Sequence, residues 1–100
     1  MKEMLFEVQA NELRIEKFKR EHQIETHHAN VDEMPWAALH MPSARNFGYG
    51  VTEKSDIFDC VAKVGRLLDE SGVMGYGKTE ADAILETCRA CGVEVKPSDL

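Results

Sequence analysis

Basic residues are the first shortage in this sequence. Twelve Lys and Arg stand against 18 Asp and Glu, a formal net charge of −6 with an isoelectric point near 5.1. Nucleic-acid binding rests on neutralising phosphates with Lys and Arg, so this balance argues against direct contact with DNA or RNA. Long apolar runs are lacking as well. None approaches the ~20 residues of a membrane span, and no charged-then-apolar leader with a small-residue cleavage site opens the chain. Cysteine is scarce, at three residues, which points to free thiols in a reducing compartment rather than to a disulfide framework. These shortages together lead to the expectation of a cytoplasmic protein without a membrane partner.

What remains is an ordinary globular composition. One hundred residues, 43% apolar and 30% charged, are enough for a single domain around one modest core. Acidity of this degree keeps a small protein soluble, and it also permits attraction to a basic groove on another protein.

The chain carries an internal echo. Residues 47–53 read Phe-Gly-Tyr-Gly-Val-Thr-Glu and residues 74–80 read Met-Gly-Tyr-Gly-Lys-Thr-Glu. At the same offset Ile57 matches Ile84, Phe58 matches Leu85, Asp59 matches Glu86 and Gly65 matches Gly92. Each copy reads as a glycine turn, a threonine cap and an amphipathic helix with acid in its first turn. In the second copy Thr79 and Asp82 have capping-box spacing.

After Thr52 the positions Ile57, Phe58, Val61, Val64, Leu67 and Leu68 follow a helical period, ended by Ser71-Gly72. Gly65 inside that helix suggests close approach of another backbone. After Thr79, Ala81, Ile84, Leu85 and Cys88 form a second stripe, closed by Gly92. Val93-Glu94-Val95 is a candidate short strand before Pro97. Residues 2–23 lack Gly and Pro and read as helix on composition, with a hairpin left open by the alternation at Met4, Phe6 and Val8. Residues 24–46 read as an ordered connection around Trp36, with one helical turn left open. The expected fold is a helix-rich α+β single domain built on two turn–helix units.

Three features carry potential chemistry. Residues 72–79, Gly-Val-Met-Gly-Tyr-Gly-Lys-Thr, satisfy the G-x-x-x-x-G-K-T pattern of a phosphate loop. Such a loop follows a buried strand, whereas here the end of an amphipathic helix precedes it, and the echo accounts for most of the match. A nucleotide-binding role through Lys78 and Thr79 is therefore an alternative, not the leading expectation. Cys88-Arg89-Ala90-Cys91 forms a C-x-x-C, but at a helix C-terminus, where the dipole disfavours the thiolate. With Cys60 it makes a small metal-binding or regulatory accessory protein a further alternative; a second C-x-x-C is absent. His22, His27, His28 and His40 read as solvated loop residues, and no Ser-His-Asp or Cys-His signature marks a nucleophile. No catalytic residue, metal or cofactor is expected.

The remaining candidates are interface residues. Trp and Tyr are favoured anchors of protein interfaces. Trp36, Tyr49 and Tyr76, with the acids Asp32, Glu33, Asp56 and Asp59, are the expected partner-binding residues.

The Gly-Tyr-Gly-Lys-Thr-Glu turn before a helix resembles one segment of the double-stranded RNA-binding domain, where the helix opens with lysines that grip phosphate. Here it opens Glu80-Ala81-Asp82, which removes the nucleic-acid role from the comparison. In general build, namely chain size, acidity and lack of a catalytic signature, the chain resembles small phage-encoded inhibitors of the anti-CRISPR type. That resemblance implies a non-enzymatic viral protein in the host cytoplasm, docked on a basic surface of a nucleic-acid-binding host complex such as a CRISPR surveillance complex. It covers no residue-level motif and assigns no residue a role.

Overall fold

The computed structural model describes residues 13–29 and 33–100. Residues 13–22 are helical (α1), as the composition predicts, and the rest of the stretch 2–23 up to residue 12 lies outside the described residues. Gln23 then reverses the chain in a left-handed conformation (φ 54°). Its backbone carbonyl accepts from Met41 N at 2.9 Å and its side-chain carbonyl accepts from Arg45 at 3.0 Å. There follow β1 (Ile24–His28), β2 (Trp36–His40), α2 (Met41–Arg45), α3 (Ile57–Ser71), β3 (Met74–Gly77) and α4 (Glu80–Cys91). The strands form one antiparallel sheet in the order β1-β2-β3, with Trp36 of the middle strand opposite His28 on one side and Gly77 on the other. The domain is α+β, with four helices and a three-stranded sheet among the described residues.

Side chains alternate across a strand, and here the alternation divides the core in two. Leu39 packs with Met41 and Ala44 from α2, Val51, and Ile57, Cys60, Val64 and Leu68 from α3. Its neighbour Ala38 packs the other way, with Phe18, Ile24, Ala83, Ile84 and Cys88. The sheet is the middle layer, with α2 and α3 on one face and α1 and α4 on the other.

The closest packing in the fold lies between β3 and α4. Gly75 and Gly77 point to the same face, towards α4. A Cβ on Gly77 would stand 2.6 Å from both the Ala83 nitrogen and the Asp82 Cβ, and one on Gly75 would overlap the Ala83 carbonyl and the Thr87 nitrogen. Thr87, fully buried, donates its hydroxyl to the Val73 carbonyl and ties the same two elements. The helix itself starts at Thr79, whose hydroxyl accepts from Asp82 N at 3.1 Å, and ends at a left-handed Gly92. At its first residue, Glu80 accepts from Thr26 of β1 and from Lys19 of α1, the latter at 3.0 Å. Burial opposes the charge on Lys19, but the hydrogen bonds it donates to Glu80 and Glu16, with the negative charge of both, outweigh burial and raise its pKa. One largely buried ion pair thus joins three elements.

Several expectations change. In the second copy of the echo, Gly75 and Gly77 belong to a strand, whereas Gly48 and Gly50 of the first copy, at φ 68° and 84°, make the expected turn. Thr52 does not cap α3. Asp56 does, in a reciprocal box with Asp59, four residues later than the echo implies. Gly65 meets only the Val61 side chain of its own helix, so no second backbone approaches it; it follows the kink at Val64 (φ −137°). Residues 24–46 do hold one helical turn, α2, but on either side of the undescribed residues 30–32 they form the strands β1 and β2 where a connection was expected. Val93 and Val95 are not in a strand, yet they pack against the α4-side core.

Gly75→Ala and Gly77→Ala should each destabilise the protein by about 1–3 kcal/mol or more, because the obstructing atoms are mostly backbone. Gly65→Ala should be neutral or stabilising by up to ~1 kcal/mol. Urea unfolding of the three variants tests this ranking, and equal losses at positions 65 and 77 would refute the packing argument.

Candidate functional site

The start of α3 gathers three carboxylates. Asp56 Oδ1 accepts from Asp59 N at 2.9 Å, and Glu25 of β1 accepts from Ile57 N at 3.3 Å. These bonds satisfy backbone donors that the first turn of a helix leaves unpaired. The same negative charge is felt by the buried Cys60 thiol, which burial pushes up first and Glu25, Asp59 and Asp56 push up further.

An apolar surface adjoins those carboxylates. Phe58 is 59% exposed and Val61 46% exposed, although both belong to the apolar stripe read from the sequence. A helix advances about 100° per residue, so Ile57 and Phe58 cannot both face the sheet; Ile57 enters the core and Phe58 is turned out. His27 of β1 meets the Phe58 ring edge-on at 4.8 Å between centroids. Between them a groove of about 330 Å³ opens over the sheet, floored by Ala37 and Met74 and walled by His27, Phe58, Val61 and Ala62. Chemically the arrangement offers an apolar slot with a negative rim.

The expected interface residues do not form one surface. Asp56 and Asp59 stand at this site, exposed. Trp36 is half-buried on the opposite face of the sheet, against the α4-side core and the ring of His28 at 5.0 Å. Glu33 lies beside Met34, Pro35 and Lys78 at one end of the sheet. Tyr49 is 66% exposed in the loop after α2. Tyr76 is partly exposed on the α3 side, where its hydroxyl donates to Asp69; burial first, then that carboxylate, push its pKa up to about 12. Asp32 lies outside the described residues. The residues missed by the sequence reading are Phe58, Val61, Met74, His27 and Ala37. One signal was available: six apolar positions on α3 make a stripe wider than one buried face.

The phosphate-loop pattern does not make a loop. Residues 74–77 within it are strand β3, and only Lys78 and Thr79 connect that strand to α4. Thr79 uses its hydroxyl as the helix cap, and the helix opens with Glu80 and Asp82, whose charge opposes a phosphate there. Gly75 and Gly77 serve the contact with α4, and Gly72 ends α3 in a left-handed conformation (φ 77°).

Among the described residues, no three His, Cys, Asp or Glu side chains stand where they could share a metal ion. Cys88 is buried in the core and its thiol is pushed up to about 11 by burial and by Cys91; Cys91 ends α4 and is half-buried. His40 accepts no exposed role either: burial and the neighbouring His22 lower its pKa, and its Nδ1 lies 2.7 Å from Ser43 Oγ. Comparison with protein-family models, curated proteins and solved structures returns no match.

A thiol reagent at pH 8 should modify Cys91 in the native protein and reach Cys60 and Cys88 only as the chain unfolds. Reaction of all three at the rate of a urea-denatured control would contradict the burial described.

Proposed function

We propose that this chain is a non-catalytic binding module that docks on a basic protein surface through the N-terminal end of α3. The observation that carries the reading is Phe58: an aromatic ring more than half exposed beside an apolar groove, flanked by Asp56 and Asp59. Burying such a ring in a partner contributes about 1.5–3 kcal/mol, enough to act as an anchor. The net charge of −6 favours encounter with a basic patch and raises the association rate more than the final affinity. The three carboxylates beside the anchor supply local charge of the same sign.

A narrower form of the proposal makes the partner a nucleic-acid-handling complex of a bacterial host, with the chain acting as a phage inhibitor that blocks the basic channel of a CRISPR surveillance complex. Its support is chain size, acidity and the resemblance of build. The site adds one feature to it: a hydrophobic anchor set among acids suits a channel wall that binds phosphates and bases.

The capping role of Asp56 and Asp59 decides how the proposal is tested. Charge reversal there would remove a cap and cost about 1 kcal/mol of stability, confusing binding with folding. Asn accepts the same backbone hydrogen bond without the charge. The tagged chain, Phe58→Ser, and the double variant Asp56→Asn/Asp59→Asn should be compared as baits in nuclease-treated bacterial lysate at about 0.1 and 0.5 M salt. Partners captured by the parent at low salt should be lost with Phe58→Ser and weakened by both neutralisation and salt, whereas Tyr49→Ser should retain them. The captured complex should then lose DNA or RNA binding in proportion to bound chain. Equal capture by Phe58→Ser and the parent overturns the docking site, and undiminished nucleic-acid binding overturns the narrower form.

A further inference from the structure

The two edges of the sheet are built differently. β1 presents Ile-Glu-Thr-His-His, with exposed His27 and His28, the polar character that discourages edge pairing. β3 presents Met-Gly-Tyr-Gly, without charge or proline. It is hydrogen-bonded to β2 on one side, and among the described residues no strand pairs with the other side. Along that open side runs a groove of about 670 Å³ between β3 and one face of α4. The helix contributes Asp82, Leu85, Glu86 and Arg89, spaced as successive turns of a single face, and the strand contributes Met74 and Tyr76. The helix wall of this groove lies on the opposite face of the sheet from Phe58; Met74 and Tyr76 reach it from the α3 side around the strand edge, and Met74 lines both grooves.

The stripe on α4 is complementary to itself when reversed. An acid stands at its first position and an arginine at its last, seven residues apart, with Leu85 near the centre. The groove also has a shared centre. Gly75 sits against Ala83 and Thr87, so the middle of β3 lies beneath residue 85 of α4. A two-fold axis normal to the sheet at the outer side of β3 would therefore pair β3 with its antiparallel copy and set two α4 helices side by side and antiparallel. Asp82 then faces Arg89 of the second copy, twice, and Leu85 meets its counterpart region. Glu86 is already paired with Arg89 in its own helix at 2.8 Å, so its charge is offset at the centre. The spacing also works. With α4 seated over β2 and β3 and strands about 4.8 Å apart, the two helix axes fall roughly 10 Å from each other, a normal packing distance.

We infer that the open edge of β3 together with the Asp82–Arg89 face of α4 is a homodimer interface, which joins two copies of this chain through one continuous six-stranded antiparallel sheet. The occupant of the groove is a second copy, because reversed charge order is what a two-fold interface requires and an unrelated extended peptide does not.

The test is the mass in solution, by light scattering and sedimentation equilibrium across micromolar to millimolar concentrations. The parent should have twice 11.3 kDa. Asp82→Lys places a cation against Arg89 of the second copy, and Arg89→Glu places an anion against Asp82; each alone should weaken self-association by about tenfold or more. Mixed in equal amounts, the two variants should recover a heterodimer, in which both cross-pairs are again opposite in sign. Recovery on mixing cannot come from a misfolded chain, and circular dichroism of each variant confirms the fold. A parent that stays monomeric at millimolar concentration overturns the inference and leaves the groove to an extended peptide of another protein. A parent dimer that both variants retain overturns the assignment to this face, as does failure of the mixture to re-form a dimer.

Discussion

The contact between β3 and α4 is the constraint on which the rest of this structure depends. Two glycines on one face of a four-residue strand let the helix lie directly on the strand backbone, with no side chain between them. That closeness brings Thr87 to the Val73 carbonyl and seats Ala83, Ile84 and Cys88 against Ala38 of the middle strand. It also places the helix start where Glu80 can take both Thr26 and Lys19, so that β1 and α1 are held by the same element. Remove the glycine contact and the helix must lift, and with it the polar network that joins three elements through one carboxylate.

The opposite face of the sheet is packed by another logic. There α3 fills the space with ordinary side chains, Ile57, Cys60, Val64 and Leu68, and its backbone kinks at Val64. Its first turn is fastened by polar contacts, the Asp56–Asp59 box and the Glu25 carboxylate, as well as by burial of Ile57 and Cys60. A helix fastened that way can leave Phe58 and Val61 outside without losing its seat. The exposed ring and the acidic rim are thus two results of one arrangement: carboxylates that satisfy the backbone at a helix start also carry the charge that the proposed basic partner would meet.

The helices were legible in the sequence because their signals are local. The 3.6-residue period, the Thr79 cap, Ser71-Gly72 and Gly92 all act within one or two turns. The strands were not. β2 reads Trp-Ala-Ala-Leu-His, and because both of its faces are covered it shows no alternation of apolar and polar residues. β1 reads Ile-Glu-Thr-His-His, and with one apolar residue it shows no alternation either. β3 is the instructive case. Gly-Tyr-Gly suggests a turn wherever conformational freedom is the reason for glycine, and at residues 48–50 it is one. At residues 75–77 the reason is space beneath a helix, and that helix cannot be placed until the strand is. The acids at Asp56 and Asp59 were legible as charge but not as caps, and Phe58 was read as core because its period matched.

The two surfaces proposed here bear on each other through the symmetry of the sheet. An axis normal to the sheet at the β3 edge leaves each helix on its own face, so the two copies of α4 meet on one side while both copies of α3 lie on the other. A dimer built on β3 therefore presents two Phe58 anchors and two acidic rims on the same face, opposite the paired α4 helices, with Met74 at the edge lining both grooves. Two identical sites in fixed geometry bind a repeated basic surface with far greater avidity than either alone, provided their spacing matches. The site on α3 needs little affinity of its own under that arrangement, which accords with an anchor of one aromatic ring and a few carboxylates. The dimer in that way offers a single partner two copies of the same surface.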